Sequence, residues 1–373
     1  MALVLNEEQV MLRDAAHNFL QERAPVSHLR EIRDSGNQDG YSRELWSEMV
    51  DMGWTAILIP EEHGGLAYGY TGLGIVLEEC GRTLTPSPLL GTALTGVAAL
   101  MLAGTPKQCA SILPAVATGD HLIALACDES AHHRPEVVAT SADRQQDGFV
   151  LNGRKTAVLD GHVADTFIVS AISEGGISLY LVPSDAEGVQ VSRYAELDIH
   201  AAASVSFNQV KLNADSLLGD VDNGLSLLEQ ILDVARIGSS AEMLGIAQEA
   251  FGRTMEYLKE RKQFGVPIGS FQALQHRAAH LFGEIELCKS IVLKALQTLD
   301  EGSENCAEFA SLAKAKLSET AHAATAEAIQ MHGGIGMTDD FDIGFFLKRY
   351  RILETLYGDR YFHLDRFATL RGY

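Results

Sequence analysis

The chain reads as a multi-domain α+β protein, helical at both ends and β in the middle. Two observations carry that reading. Apolar residues recur at helical spacing in the first and last stretches, and between about 118 and 222 the period falls to two. At 373 residues the chain is also long enough for two or three domains around separate cores. The segments are 1–117, helical; 118–222, β; and 223–373, helical.

In the first segment Asn6 stands three residues before Gln9, the pairing of a capping box, and helical spacing then runs through Leu20. The stretch Ile59-Pro60-Glu61-Glu62-His63-Gly64-Gly65 is a helix-breaking loop whose glycines are free to take positive φ. Thr105-Pro106 is a cap followed by proline at the first helical position. In the second segment Phe149–Lys155, Phe167–Ser170, Ile177–Val182 and Ala203–Phe207 alternate or run apolar between turn residues, which predicts strands. In the third, Ala-rich stretches such as 307–331 are apolar on more than one face, as in helices buried in a bundle or a subunit interface.

Composition narrows the function. The net charge of −21 argues against nucleic acid or an anionic membrane surface as partner. No apolar run is long enough to span a bilayer, and the N-terminus has no basic stretch before an apolar one. Five scattered cysteines (80, 109, 127, 288 and 306) form no Cys-x-x-Cys pair, so reduced thiols in a cytoplasmic protein are expected.

Three motifs carry a family resemblance. Arg261-Lys262-Gln263-Phe264-Gly265 is followed by Phe271-Gln272, then by Gln330-Met331-His332-Gly333-Gly334-Ile335-Gly336, and the Pro60–Gly65 loop precedes both. In that order they resemble acyl-CoA dehydrogenases over nearly the whole chain. The resemblance implies a helical N-terminal domain, a middle β-barrel or sandwich, and a C-terminal domain like a four-helix bundle. It also implies FAD, an acyl-CoA substrate, α,β-dehydrogenation, a tetramer, and electron-transfer flavoprotein as an acceptor. For the FAD it implies that Arg261 pairs with the pyrophosphate, for which a planar guanidinium fork is suited. Gln263 and Phe264 would hold the ribityl-adenine side, Gln330 with Gly333 and Gly334 would let the ADP part approach the backbone, and Gln272 would also bind the cofactor. In the family these pieces reach a flavin held mainly by a neighbouring subunit.

Elsewhere the chain departs from the family. Where the family reads Val-Thr-Glu-Pro-Gly-x-Gly-Ser-Asp, this chain reads Ala126-Cys127-Asp128-Glu129-Ser130-Ala131-His132-His133. The Lys-x-Trp-Ile-Thr-Asn-Gly pattern is Lys155-Thr156-Ala157-Val158-Leu159-Asp160-Gly161, so the aromatic wall and the hydroxyl that face the flavin ring are gone. The Tyr-Glu-Gly-Thr motif, whose Glu takes the α-proton, is Leu356-Tyr357-Gly358-Asp359-Arg360. Depending on register, Tyr357 or Gly358 occupies the Glu position, and the alternative helix position used by some relatives is Ala235. Asp359 and Glu354 remain as substitute bases. The whole resembles the small, Glu-lacking subunit of heteromeric acyl-CoA dehydrogenases, which implies a paralogous Glu-bearing partner. A self-sufficient homomer using Asp359 is the alternative, and a flavin-free acyl-CoA-binding scaffold a third. His276, His280 and Glu284 share one helix face at metal-ligand spacing, but no second ligand cluster supports a metal, and packing or hydrogen bonding is expected. Ser239-Ser240 lacks a nucleophile-elbow context.

Overall fold

The structure, a computed structural model, describes residues 3–173, 175–195 and 197–373, with no side-chain description for 195. Its helices are α1 Glu7–Arg23, α2 Val26–Ser35, α3 Arg43–Asp51, α4 Tyr70–Thr83, α5 Val97–Ala103, α6 Pro106–Ala117, α7 Gly224–Glu260, α8 Gln272–Asp300, α9 Cys306–His332, α10 Ile343–Thr355 and α11 Arg360–Leu370. The strands are β1 Ile123–Ala126, β2 Ser141–Gln145, β3 Gly148–Leu159, β4 Thr166–Ile172, β5 Ile177–Pro183, β6 Val189–Ala195, β7 Ala201–Asn213, β8 Leu217–Leu218, β9 Lys262–Gln263 and β10 Val266–Pro267. Both capping boxes form: the Asn6 side chain accepts from Gln9 N and Thr105 from Gln108 N, and each glutamine reaches back to its cap's N–H. No helix among the described residues is long and apolar enough to cross a membrane.

Contacts divide the chain into two compact units that cut across its order. One gathers Met1–Glu31, Gly74–Thr85 and Arg236–Tyr373; the other gathers Ile32–Leu73 and Pro86–Ala235. In the second unit, helices α3, α5 and α6 accompany a mixed sheet of order β6-β7-β3-β2-β4-β5-β8, with β1 pairing parallel to β4. The join between β2 and β4 is a single register pair, Ser141↔Ile172. The sheet is therefore close to two half-sheets, and Leu151, Val205 and Phe207 from one meet Phe167, Val169 and Val182 from the other in one core. That is the β segment expected from period two, in the barrel- or sandwich-like form that the resemblance implies. A π-helical stretch, Leu89–Gly96, was not foreseen; Thr95 Oγ1 donates to Leu90 O there at 2.7 Å.

The first unit holds α1, α4 from Gly74, α7 from Arg236, and α8 to α11. Helices α4 and α7 cross at backbone contact: a β-carbon on Gly81 would collide with the Glu242 carbonyl, and one on Gly245 with the Glu78 carbonyl. Arg82 holds the crossing by pairing with Glu78 and Glu79 and bonding Gln248. Helices α8 and α9 run antiparallel, tied by the ion pairs Glu284–Lys316 and Arg277–Glu327.

Candidate functional site

Helix α7 ends at Glu260, and the chain turns at once through the β9–β10 hairpin, with Gln263 paired to Val266. The two residues between them are Phe264 at φ 54° and Gly265 at φ 82°. A two-residue hairpin turn with positive φ at both central positions matches the twist of the strands. Glycine suits it; phenylalanine does not, so the turn stores backbone strain at Phe264. That ring is 93 % exposed and lies edge-on to Phe271, 6.2 Å between centroids.

The second motif comes to the same end of this unit. Tyr257, one turn before Arg261, stacks on His332 at 4.3 Å, and its hydroxyl donates to the His332 carbonyl at 3.3 Å. Phe341 closes on the same imidazole at 4.9 Å. His332 Nδ1 donates to Ala328 O at 2.7 Å, holding the α9 terminus, and burial lowers the imidazole pKa. Extending the antiparallel register set by the Glu284–Lys316 and Arg277–Glu327 pairs places Gln272, the first residue of α8, beside Gln330.

Arg261, Gln263, Gln272 and Gln330 are exposed, and none of their side chains takes a hydrogen-bond or ion-pair partner among the described residues. A β-carbon on Gly333 or Gly334 would meet nothing within 4 Å. This end thus offers a guanidinium, three carboxamides, an exposed aromatic ring and bare backbone. That donor set fits a phosphorylated, adenine-bearing ligand such as the ADP half of FAD.

The segments that would face the flavin ring, in the other unit, are built differently. Asp128 is bound to His133, whose Nδ1 lies 2.9 and 3.0 Å from the two carboxylate oxygens. Lys155 is fully buried; its Nζ donates to Glu129 Oε1 at 2.7 Å, Ser170 Oγ at 2.9 Å and Cys127 O at 3.3 Å. Burial works to raise the Glu129 pKa, but Lys155 and the backbone amide of Thr140 hold it below the ordinary carboxylate value. Ala157 sits at φ 51° and Leu159 is buried, so neither supplies a donor or an aromatic face. These residues do not fit the isoalloxazine ring. Cys127, Asp128 and His133 place potential ligand atoms within 4.8 Å of one another, but the imidazole nitrogen and both carboxylate oxygens are spent on each other.

The turn between α10 and α11, where the resemblance puts the base, is sealed from within its own unit. Tyr357 is buried at φ 60° and Gly358 follows at φ 109°. The buried Lys314 of α9 donates to the carbonyls of Leu353, Glu354 and Gly358 at 2.6, 3.0 and 3.1 Å, and burial pushes its pKa down to about 7. Buried Arg236 donates from Nε to Tyr357 O at 3.2 Å, and His363 Nε2 lies 3.2 Å from the same oxygen. Asp359 is the N-cap of α11, its carboxylate accepting from Phe362 N at 2.8 Å. Glu354 pairs with Arg351 at 3.2 Å, and Ala235 is fully buried.

The structure thus brings Arg261, Gln263, Phe264, Gln272, Gln330, Gly333 and Gly334 to one end of one unit and gives Asp359 a capping task. Sequence reasoning missed Lys314, Arg236 and His363 as holders of the turn. On α8, His276 and His280 are exposed, and Glu284 is taken by Lys316. Ser239 and Ser240 donate back to Arg236 O at 3.0 and 2.7 Å, as helical serines do.

Family models for the N-terminal, middle and C-terminal domains of acyl-CoA dehydrogenases match residues 6–120, 128–210 and 222–369. The chain is 31 % identical to a probable acyl-CoA dehydrogenase of Bacillus subtilis, over 94 % of each chain. It is 30 % identical to a subunit of the caffeyl-CoA reductase-Etf complex of Acetobacterium woodii, over 96 % of this chain and 93 % of that one. Among solved structures, the Tcur3481-Tcur3483 steroid ACAD superposes with a TM-score of 0.90 at 29 % identity, covering 98 % of each chain.

Proposed function

This chain belongs to the acyl-CoA dehydrogenase family, an oxidoreductase family whose members are FAD flavoproteins, and from that premise we propose that it serves as the subunit without a base in a heteromeric α,β-dehydrogenase of an acyl-CoA thioester. The observation that carries this reading is the sealed α10–α11 turn. Tyr357 and Gly358 cannot take a proton from carbon at neutral pH, Asp359 is engaged as a cap, and Glu354 is paired with Arg351. The exposed Arg261–Gln272 and Gln330–Gly334 elements remain available to a flavin whose ring lies against another subunit.

When bound, FAD would supply the acceptor for a β-hydrogen leaving as hydride, and the α-proton would need a carboxylate base. On this chain, Arg261 would hold pyrophosphate oxygens, the three glutamines would orient the ADP half, and Gly333 with Gly334 would let it reach the backbone. A partner would supply the Glu and the ring-side wall. The relative named as part of a reductase–Etf complex supports electron-transfer flavoprotein as redox partner and favours running the assay in both directions. The name Tcur3481-Tcur3483 supports a paired assembly and a bulky acyl group.

The test is flavin absorbance and enoyl-CoA formation by the chain alone and after co-expression with a Glu-bearing paralogue. Two flavins per tetramer of two unlike pairs are expected, with no turnover by the chain alone. A homotetramer of this chain carrying four flavins and dehydrogenating acyl-CoA would sink the reading.

A further inference from the structure

Three of the residues that part from the family pattern around Glu129 converge in space. With Glu129 in register, Cys127 stands where that pattern has Val, Asp128 where it has Thr, and His133 where it has the second Gly. None of the three is a residue the motif itself carries. The segment that follows β1 brings a thiol, a carboxylate and an imidazole together, with one potential ligand atom of each within 4.8 Å of the other two.

The three are set into the fold. Cys127 is 3 % exposed, and the side chains of His133 and Asp128 are 4 % and 14 % exposed. Thr156 N donates to Asp128 O at 2.8 Å, and Lys155 Nζ to Cys127 O at 3.3 Å. Glu129 accepts from the amides of Ala139 and Thr140 at 2.7 and 3.0 Å, which fixes the return of the loop. His133 Nδ1 lies 2.9 and 3.0 Å from the Asp128 oxygens. A nitrogen and an oxygen that share one ion at about 2.1 Å stand roughly 3.3 Å apart in tetrahedral geometry. The pair is thus within a few tenths of an ångström of ligand spacing. The hydrogen bond that spends these atoms on each other is one proton in the place a metal cation would take.

The charges select the ion. Lys155 is fully buried and paired with Glu129 at 2.7 Å, so these two cancel. What is left is one carboxylate and one thiol, which becomes a thiolate on coordination. A divalent cation brings that sum to zero, as a site this buried requires. A mixed sulfur, nitrogen and oxygen set favours zinc-like ions over magnesium or calcium, which take oxygen ligands.

We propose that Cys127, Asp128 and His133 form a three-ligand site for a divalent transition ion of the zinc class, with a fourth position left to water. Binding releases the thiol proton, and the imidazole proton moves from Nδ1 to Nε2 as the ion takes Nδ1. The inference is independent of the subunit reading, since it uses no flavin and no second chain.

The test uses the full chain, with its partner where the partner is needed for expression. The protein is stripped with a chelator, loaded with zinc or with cobalt(II), dialysed, and its metal content measured beside its absorbance. Wild type should keep one zinc per chain of this type and show a sulfur-to-cobalt charge-transfer band in the near ultraviolet. Cys127→Ser should lose the band. Cys127→Ser and His133→Gln should each weaken zinc binding by about 100-fold or more, and Asp128→Asn by about tenfold or more. Cys109→Ser and His276→Gln should bind as wild type does. Wild type that keeps no zinc, zinc that survives Cys127→Ser at wild-type affinity, or cobalt bound without the sulfur band would each overturn the site. Where circular dichroism shows that a variant has failed to fold, the wild-type zinc content and cobalt band decide.

Discussion

The hairpin end of the first unit and its α10–α11 turn hold residues of similar chemistry in opposite states. At the hairpin end, Arg261 and three glutamines are exposed and take no side-chain partner among the described residues. At the turn, a lysine, an arginine and a histidine are fully buried, and each bonds backbone oxygen of the same few residues. A polar group kept for a ligand is left in water, where waiting costs little. A polar group that has no ligand to meet is satisfied inside the chain, because a buried one left unpaired costs about 1–3 kcal/mol or more. The difference separates the residues proposed to meet a ligand from those the fold has spent on its own backbone.

The largest effect expected from disturbing that contrast is at the turn. Lys314→Ala removes a donor that three buried carbonyls share, and each buried acceptor left unpaired costs about 1–3 kcal/mol. Denaturant unfolding of the full chain checks this; a change within the range of a surface substitution would mean that the carbonyls find water.

At the hairpin end the effect moves from stability to ligand. Arg261→Ala should leave the unfolding midpoint unchanged and lower flavin retention in the assembled complex by about tenfold or more, the worth of one charge-assisted bond. Equal flavin content in wild type and variant, measured by absorbance after dialysis, would make Arg261 an ordinary surface residue and erase the contrast.

Titration should expose the turn again. Burial, with Lys314, Arg236 and Arg366 nearby, holds the His363 pKa well below its ordinary 6.5. Between that lowered value and 6.5 the unfolded chain binds a proton that the folded chain refuses. The His363 contribution is thus whole above about pH 6.5 and is lost as the pH drops through this window. Lys314, at about 7 against an ordinary 10.5, acts in the same direction from the alkaline side. The midpoint of wild type should decline from neutral pH into the acid range, and His363→Gln should flatten the part below 6.5. Equal slopes would place the acid sensitivity elsewhere, for instance at His332, whose pKa burial also lowers.

The smallest effect belongs to Asp359. Asn caps a helix as well as Asp does, so Asp359→Asn should change neither stability nor dehydrogenation by the complex, while Asp359→Ala should cost about 0.5–2 kcal/mol of stability. A rate loss of roughly 10²–10⁴-fold in the Asn variant would instead mark Asp359 as a base.

Much of this was legible in the residues themselves. Asn6–Gln9 and Thr105–Gln108 formed their caps, and the alternating stretches around Phe149, Phe167, Ile177 and Ala203 became β3, β4, β5 and β7. Short elements escaped. The β9–β10 hairpin spans six residues and places a phenylalanine where turn preferences ask for Asn, Asp or Gly. Strands β1, β2 and β6 alternate too weakly to stand out, and the π-helical stretch at Leu89–Gly96 carries no period of its own.

What the sequence determined alone is what local sterics determine: which segments alternate, where helices start, and that a Glu is missing between Leu356 and Arg360. What only the tertiary structure decided is which polar residues wait in solvent and which are spent. Lys314 reads as any lysine on an Ala-rich helix, and Arg261 as any arginine after one. Lys314 meets the carbonyls that bury it 39, 40 and 44 residues along the chain, and Arg236 meets Tyr357 across 121. Partners that distant are set by how helices pack, and no periodicity in a short window carries that information.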